Sequence, residues 1–522
     1  MELIKKNIHM LVQGEKIISQ ITLDDDRNVP DQKSDMLQLI STTGNVVLED
    51  IKTNEKQVLV RGNLSFRVMY VGEEEERKLQ SLEGELPFEE EIHMEDLKVG
   101  ENIRVDAEVE DLRIGIINSR KMSIQSIVTL KVMKEINIDE EVAVDVLEKQ
   151  EAEFYKKPME IMELCIQKKD MLRMREEVLL PSGKSNIHEL LWDEVSLNIK
   201  EIRLLQGKIN LCGSLEIFVL YVGEGRDNKQ EWLNEEISFT KELECNGCSE
   251  EMIPEIRIRL KSCDLEVKTD EDGEERILAI DGILDLDIKI YEEEMVELVQ
   301  DLYSTTKELK PEVKVCTFQS LIGNNTTKCR LNHRIRIKKE EPRILQICNG
   351  SGKVRVDQIE NSEKGIVVEG TLEACVLYVS TEDDTPFFAK QVQLPFAQQI
   401  DINDMKEHTD YKVETGNLQM NTIMIDSEEM EVKAVVDLSV KAVENMEQKV
   451  ITRVEEEPLD MKKLEEMAGI VVYVVKEHDS LWSIGKEYCM SVSDIRELNG
   501  LEQDTIQTND RLLLCKCPGN PV

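Results

Sequence analysis

No run of about 20 uninterrupted apolar residues occurs in this 522-residue chain, so it has no candidate membrane-spanning helix. The opening residues, MELIKKNIHMLVQGEK, lack the apolar stretch of a secretion signal, which sets an expectation of a protein that is not secreted. Basic residues are in deficit: 65 Lys and Arg stand against 107 Asp and Glu, a formal charge of −42. That balance opposes binding to nucleic acid, whose phosphates need Lys and Arg to neutralise them. It equally opposes anionic lipid, and it favours a basic protein surface as partner. Aromatics make up only 4% of residues, yet 40% of residues are apolar, enough for several cored domains. The acidic runs Glu73–Glu76, Glu89–Glu91 and Glu455–Glu457 read as solvated faces or loops.

Catalytic signatures are also missing. The chain holds no Gly-x-Ser-x-Gly, no His-Glu-x-x-His and no Walker lysine, and its six histidines do not cluster. Gly223-Glu-Gly225 opens no helix and reads as a hairpin turn. Carboxylate pairs are so common here that they say nothing about glycosidase chemistry. Twelve scattered cysteines, two of them (Cys212 and Cys375) inside apolar runs, suit a reducing cytosol. Cys245-Asn-Gly-Cys248 has zinc-knuckle spacing, but only Cys263 lies nearby and a metal needs four ligands; it reads as a turn with free thiols. The expectation is no enzyme, no cofactor and no metal. Cys515 and Cys517 are candidates for a late cross-link.

What the chain does have is a threefold repeat. VLVRGNLSFRVMYVG (58–72), INLCGSLEIFVLYVG (209–223) and IVVEGTLEACVLYVS (366–380) align without gaps on Gly62, Gly213 and Gly370. A Phe follows 26 residues after each Gly, at Phe88, Phe239 and Phe396. Met36, Ile187 and Ile344 stand 26 residues before, and Pro30 and Pro181 stand 32 before the first two glycines. Period-two alternation, as in Val60, Leu64, Phe66, Val68 and Tyr70, marks a strand with one wet face. A Gly within such a strand predicts a bulge or a close backbone approach. Tyr70, Tyr221 and Tyr378 are expected to cap a core edge. Each copy ends on a long strand, at Ser123–Val132, Leu278–Lys289 and Glu431–Lys441. Loops 72–78, 223–229 and 380–385 recur after the same strand.

The fold class is therefore mainly β: three β-sandwich or open-barrel-like modules in tandem, as a rod or a compact stack, followed by a small βααβ domain. The boundaries fall at 1–140 (core 29–133), 141–300 (core 180–291) and 301–444 (core 341–443). Residues 141–179 and 298–340 read as lead-in strands. Residues 445–469 read as a charged linker with a short helical run over Met461–Met467.

In the C-terminal segment, 470–516, Tyr473 and Val475 alternate with Val474 and Lys476, which suits a short strand. Asp479 or Ser480 can cap a helix carrying Leu481, Ile484 and Tyr488 on one face. Ser491 or Ser493 starts a second helix, stopped by Asn499-Gly500, and Leu512–Leu514 return as a strand. Trp482 points roughly 100° from the apolar stripe. It serves either as an exposed interface anchor or as a cover for a small core.

This segment resembles a LysM module. The resemblance implies N-acetylglucosamine-polymer binding between the loops His478-Asp479-Ser480 and Gln507–Asp510. The family usually has Gly where His478 stands and Pro-Gly where Thr508-Asn509 stands. The candidate surface is thus His478, Asp479, Ser480, Leu481, Trp482, Asn499, Gly500, Thr508, Asn509 and Asp510. Three G-x-L-x-x-x-V-x-Y-V copies, each followed by a Leu-Pro-Phe-type element, and a terminal LysM resemble the SPOCS-domain proteins of spore-forming Firmicutes. That resemblance implies a scaffold of spore-coat assembly, made in the mother-cell cytoplasm and recruited to the forespore surface. Its implied partners are the basal-layer coat morphogenetic ATPase, bound through the LysM module, and other coat proteins. The alternative is a peptidoglycan-binding wall or cortex protein.

Overall fold

The computed structural model describes residues 1–73, 78–147, 152–225, 229–382, 385–403, 405, 409–458 and 469–515. The first module contains β1 (Leu3–Asn28), β2 (Met36–Asn54), β3 (Gln57–Gly72), β4 (Leu79–His93), β5 (Asn102–Asn118) and β6 (Lys121–Val146). The second repeats the plan with β7 (Glu153–Leu179), β8 (Ile187–Leu205), β9 (Lys208–Gly223), β10 (Gln230–Glu244), β11 (Ile253–Thr269) and β12 (Glu275–Tyr303). The third does so with β13 (Lys307–Arg336), β14 (Ile344–Ser362), β15 (Gly365–Ser380), β16 (Phe387–Asp401), β17 (Thr409–Met424) and β18 (Glu429–Pro458).

Each module is a sandwich of two three-stranded antiparallel sheets, ordered β2-β3-β4 and β1-β6-β5 in the first and equivalently in the others. Alternation supplies the core: Leu64, Phe66, Val68 and Tyr70 face Met122 and Ile124, and Val58 and Val60 face Val128, Leu130 and Val132.

The 26-residue spacing of the repeat is a register. Gly62 lies directly opposite Phe88, Gly213 opposite Phe239 and Gly370 opposite Phe396. The phenyl ring lies over the glycine, so a Cβ at Gly370 would sit 2.6 Å from Phe396 Cζ and 2.4 Å from the Arg355 carbonyl. On the other side a bulge interrupts the ladder at Leu48/Asp50, Ile199/Glu201 and Val356/Gln358, beside the same glycine each time. Bulge and close approach thus occur together. The tyrosines do more than cap an edge. Their rings are fully buried. Their hydroxyls donate to the Ser34, Ser185 and Pro342 carbonyls at 3.0, 3.3 and 2.8 Å, tying down the segment before the second strand.

The first and last strands of each module outrun their sheet. Beyond about Glu135, Tyr291 and Glu444 the third strand ends, and the long pairs continue as two-stranded ribbons. One apolar core joins all three ribbons: Ile8, Met10 and Val142 from the first, Met159, Ile161, Val296 and Leu298 from the second, Cys316, Phe318 and Val450 from the third. We call this three-ribbon bundle the shaft. The inner sheets meet in a second shared core around Met69, Trp192, Leu220 and Leu377. Every pair of modules is in contact, so the modules close on one another rather than forming a rod.

Three boundaries move. Residues 445–458, expected as linker, continue β18 in a full ladder with β13. Lys310 and Lys307 pair with Glu457 and Glu456 across that ladder at 2.5 and 2.9 Å. The helical run expected over Met461–Met467 lies outside the described residues, as do Glu74–Glu76 and Cys517. The last strand of the first module runs to Val146 and that of the second to Tyr303, past the expected boundaries at 140/141 and 300/301.

Symmetry is broken by residue identity. At three equivalent positions on the common core stand Ser41, Trp192 and Asn349. The Trp192 indole fills the space, with the Arg67 guanidinium 4.7 Å from its centroid. Its N–H donates to Glu194 Oε1 at 3.2 Å, and Asn349 Nδ2 donates to Glu194 Oε2 at 2.7 Å. Burial pushes the Glu194 carboxyl above its ordinary range, against the pull of these donors. A second set of equivalent positions carries Arg104 and Asp106, Glu255 and Arg257, Lys412 and Glu414. They meet across modules. Lys412 and Lys441 donate to Glu255 at 2.5 and 2.9 Å, Arg257 pairs with Glu414, and Arg259 pairs with Asp106. These pairs join the second module to the third and to the first, while Arg104 pairs with Asp106 of its own module.

Candidate interaction site

The C-terminal module contains β19 (Ile470–Val474), α1 (Leu481–Tyr488), α2 (Val492–Asn499) and β20 (Arg511–Cys515). The strands pair antiparallel and cover a core of Tyr473, Val475, Leu481, Ile484, Ile495, Leu512 and Leu514. Ser480 caps α1 in a reciprocal box with Ser483, and Ser491 caps α2 through the Asp494 N–H. Asp479 has a different task. Its carboxylate accepts from the Tyr473 hydroxyl at 2.7 Å and from the Lys476 N–H at 2.8 Å. The Lys476 N–H, then Tyr473, hold it below the ordinary range, and the same bond raises Tyr473 to about 12.

The two candidate groove loops lie side by side, because the Asn509 N–H donates to the Val475 carbonyl and the Val475 N–H to that of Asp510. His478 and Asn509 adopt φ of 72° and 76°. This is the left-handed region that glycine tolerates best, and these are the positions where the LysM pattern carries it. The backbone shape is kept although the residues differ. His478, Thr508 and Asn509 are exposed. Asp510 accepts from the Gln507 N–H at 2.8 Å and shapes its own turn.

Three further candidate residues serve the module's own fold. Leu481 is buried in its core. Gly500 ends α2 at φ 63°. Asn499 bonds both the N–H and the carbonyl of Leu513, at 2.6 and 2.9 Å, and so completes the outer edge of β20. The outer face of the two-stranded sheet is another matter. Ile470, Val472, Val474 and Leu513 are 65%, 63%, 47% and 38% exposed, a stripe of apolar side chains facing solvent.

Trp482 is neither bare nor part of the small core. Its N–H donates to Asp301 Oδ2 at 2.9 Å. Its ring meets Tyr303 edge-on at 4.8 Å and Tyr155 at 5.8 Å. Lys486, one turn along α1, donates to Asp301 Oδ1 at 2.5 Å, and the Tyr303 hydroxyl donates to the Met490 carbonyl at 2.8 Å. Tyr155, Asp301 and Tyr303 lie on β7 and β12, at the tip of the shaft. Burial, then nearby carboxylates, pushes Tyr303 up.

The family described as SipL, SPOCS domain matches residues 35–117, 186–268 and 343–425, and that described as LysM domain matches 473–514. The chain has the SipL-like architecture of three SPOCS domains and a LysM domain. Each SPOCS match spans the four inner strands of a module; the long flanking strands that build the shaft lie outside it. No solved structure matches the chain. SPOCS and LysM are non-catalytic binding domains, and together they make this a sporulation-related, LysM-containing protein. Among the described residues no helix is long and apolar enough to cross a membrane.

Cys245 and Cys248 occupy the positions of Met94 and Leu97 in the first copy and Ile402 and Met405 in the third. Both thiols are buried at the end of the core, and Cys248 Sγ donates to the Leu205 and Lys208 carbonyls at 3.2 and 3.3 Å. Among the described residues no cluster could hold a metal ion. Arg120 and Arg276 do not stand out in the repeat pattern, yet their guanidinium groups grip the Val29 and Pro30, or Leu180 and Pro181, carbonyls at 2.9–3.3 Å. They stand 58 and 63 residues after their glycines, so the longer second hairpin hides the match.

Proposed function

We propose that this SipL-like protein is a non-enzymatic scaffold of spore-envelope assembly. It acts from the mother-cell cytoplasm at the forespore surface, with the SPOCS domains as a rigid body and the LysM domain as its docking element. The partner is the basal-layer coat morphogenetic ATPase implied by the architecture; further coat proteins join on the SPOCS surface. The observation that carries this reading is the stripe Ile470, Val472, Val474 and Leu513. An exposed apolar face on so small a module suits a protein surface better than a polar glycan. A Val472→Asp substitution points away from the core and leaves the fold intact. It is expected to cut retention of the ATPase in pull-down from sporulating cells at least about tenfold, as losing one central interface anchor does. Unchanged retention overturns the assignment.

A second reading has its own support. The left-handed His478 and Asn509 preserve the loop geometry of a glycan-binding LysM. On that reading the ligand is peptidoglycan, and the purified protein pellets with it and is released by chito-oligomers.

A further inference from the structure

We propose that the LysM domain is held on the SPOCS body by a releasable latch, closed when the Trp482 indole and the Lys486 ammonium share the Asp301 carboxylate. The inference concerns the state of the LysM domain within the chain and does not depend on which partner it serves.

The closed contact is specific. One carboxylate receives two donors from successive turns of α1, Trp482 at 2.9 Å and Lys486 at 2.5 Å. The two tyrosine rings flank the indole, and the Tyr303 hydroxyl reaches over α1 to the Met490 carbonyl. Close approach depends on Gly485, where a Cβ would lie 2.6 Å from the Tyr303 hydroxyl. The contact is also small. It engages one helix face and one ribbon end, with Lys486 and Asp301 side chains 45% and 31% exposed, so water competes for the ion pair. Asp494 of α2 faces Glu153 across the junction, and burial together with that like charge pushes the Glu153 carboxyl up. A small, partly hydrated interface with a repulsive pair at its margin is what a reversible docking equilibrium requires.

Closure covers only the α1 face. The apolar stripe of β19 and β20 and both groove loops stay open. A ligand read by those surfaces is indifferent to the latch. A ligand that needs Trp482 binds only the open fraction, and its apparent affinity falls by that fraction. Breaking the latch then strengthens its binding.

The test uses the full chain labelled with 5-fluorotryptophan. The protein has three Trp residues, and Trp482→Phe identifies one of the three fluorine signals. Asp301→Lys sets two like charges against each other and is expected to lower the closed-to-open ratio by about tenfold or more, the cost of losing charge-assisted hydrogen bonds. The Trp482 signal then shifts and broadens with a soluble paramagnetic probe, while those of Trp192 and Trp232 stay in place. The exchanged pair Asp301→Lys with Lys486→Asp restores it. If Asp301→Lys disturbs all three signals, the milder Asp301→Asn is read in its place. A Trp482 signal that keeps its position and its protection in the variant read, or one that moves only together with Trp192 and Trp232 in both variants, overturns the latch.

Discussion

Replacing Trp192 by Ala tests whether the three SPOCS domains stand or fall together. The indole is 2% exposed and occupies the space that Ser41 and Asn349 leave open at equivalent positions. Removing it forfeits transfer energy and opens a cavity, about 3–5 kcal/mol for a buried Trp. Arg67 loses its cation–π partner, about 1 kcal/mol when partly desolvated. Glu194 loses a donor it needs because it is buried, about 1–3 kcal/mol. These terms overlap, so the expected loss is about 4 kcal/mol or more. Trp192→Phe keeps an aromatic ring but loses the donor and part of the buried bulk, for about 1–3 kcal/mol. The measurement is denaturant unfolding by far-UV circular dichroism, paired with hydrogen exchange read by mass spectrometry. Because the core is shared, β3, β9 and β15 should all lose protection in Trp192→Ala. A loss below about 1 kcal/mol, or one confined to β9 and its neighbours, refutes the shared-core reasoning.

Gly370→Ala is expected to cost about 3 kcal/mol, the upper range for overpacking, since both a ring and a carbonyl block the Cβ. Adding Phe396→Leu should recover only part of this, as judged by thermal unfolding, because the Arg355 carbonyl stays. Burial raises the Asp106 carboxyl, but Arg259 and Arg104 outweigh it and hold it at about 2 against the ordinary 3.8. A depressed folded pKa means that the stabilisation, about 2 kcal/mol, is complete above pH 4 and is lost as the pH falls from 4 through 2. Denaturation midpoints of the native chain and Asp106→Asn should therefore converge over that interval; parallel curves would refute the pairing. His478→Gly relieves a left-handed non-glycine residue and should raise LysM stability by up to about 1 kcal/mol, read by exchange protection of Tyr473 and Leu512.

Much of the fold was legible because its signals are local. Gly and Phe 26 residues apart are cross-strand partners, so a spacing in sequence became a register in space. Capping serines and Asn499-Gly500 outlined the LysM helices by the same kind of short-range chemistry. The misplaced linker has a physical cause. Glu455–Glu457 read as a solvated charge run, yet two of these side chains are cross-strand partners of lysines about 150 residues away in the chain. Of the candidate LysM surface, the loop positions could be read from spacing. The engagement of Trp482 could not, because its carboxylate partner lies 181 residues upstream on another domain.

The order of apolar and polar residues by itself determined that this is a triplicated β protein ending in a βααβ module, since period-two and helical patterns depend only on near neighbours. Tertiary structure alone decided that the copies close around shared cores, that Trp192 fills what Ser41 and Asn349 leave vacant, and that Asp301 receives the LysM helix. Equivalent positions carrying Arg, Glu and Lys look like drift along the chain. They acquire meaning when packing brings Glu255 against Lys412 and Arg257 against Glu414 on a different copy, where burial makes an unpaired charge costly.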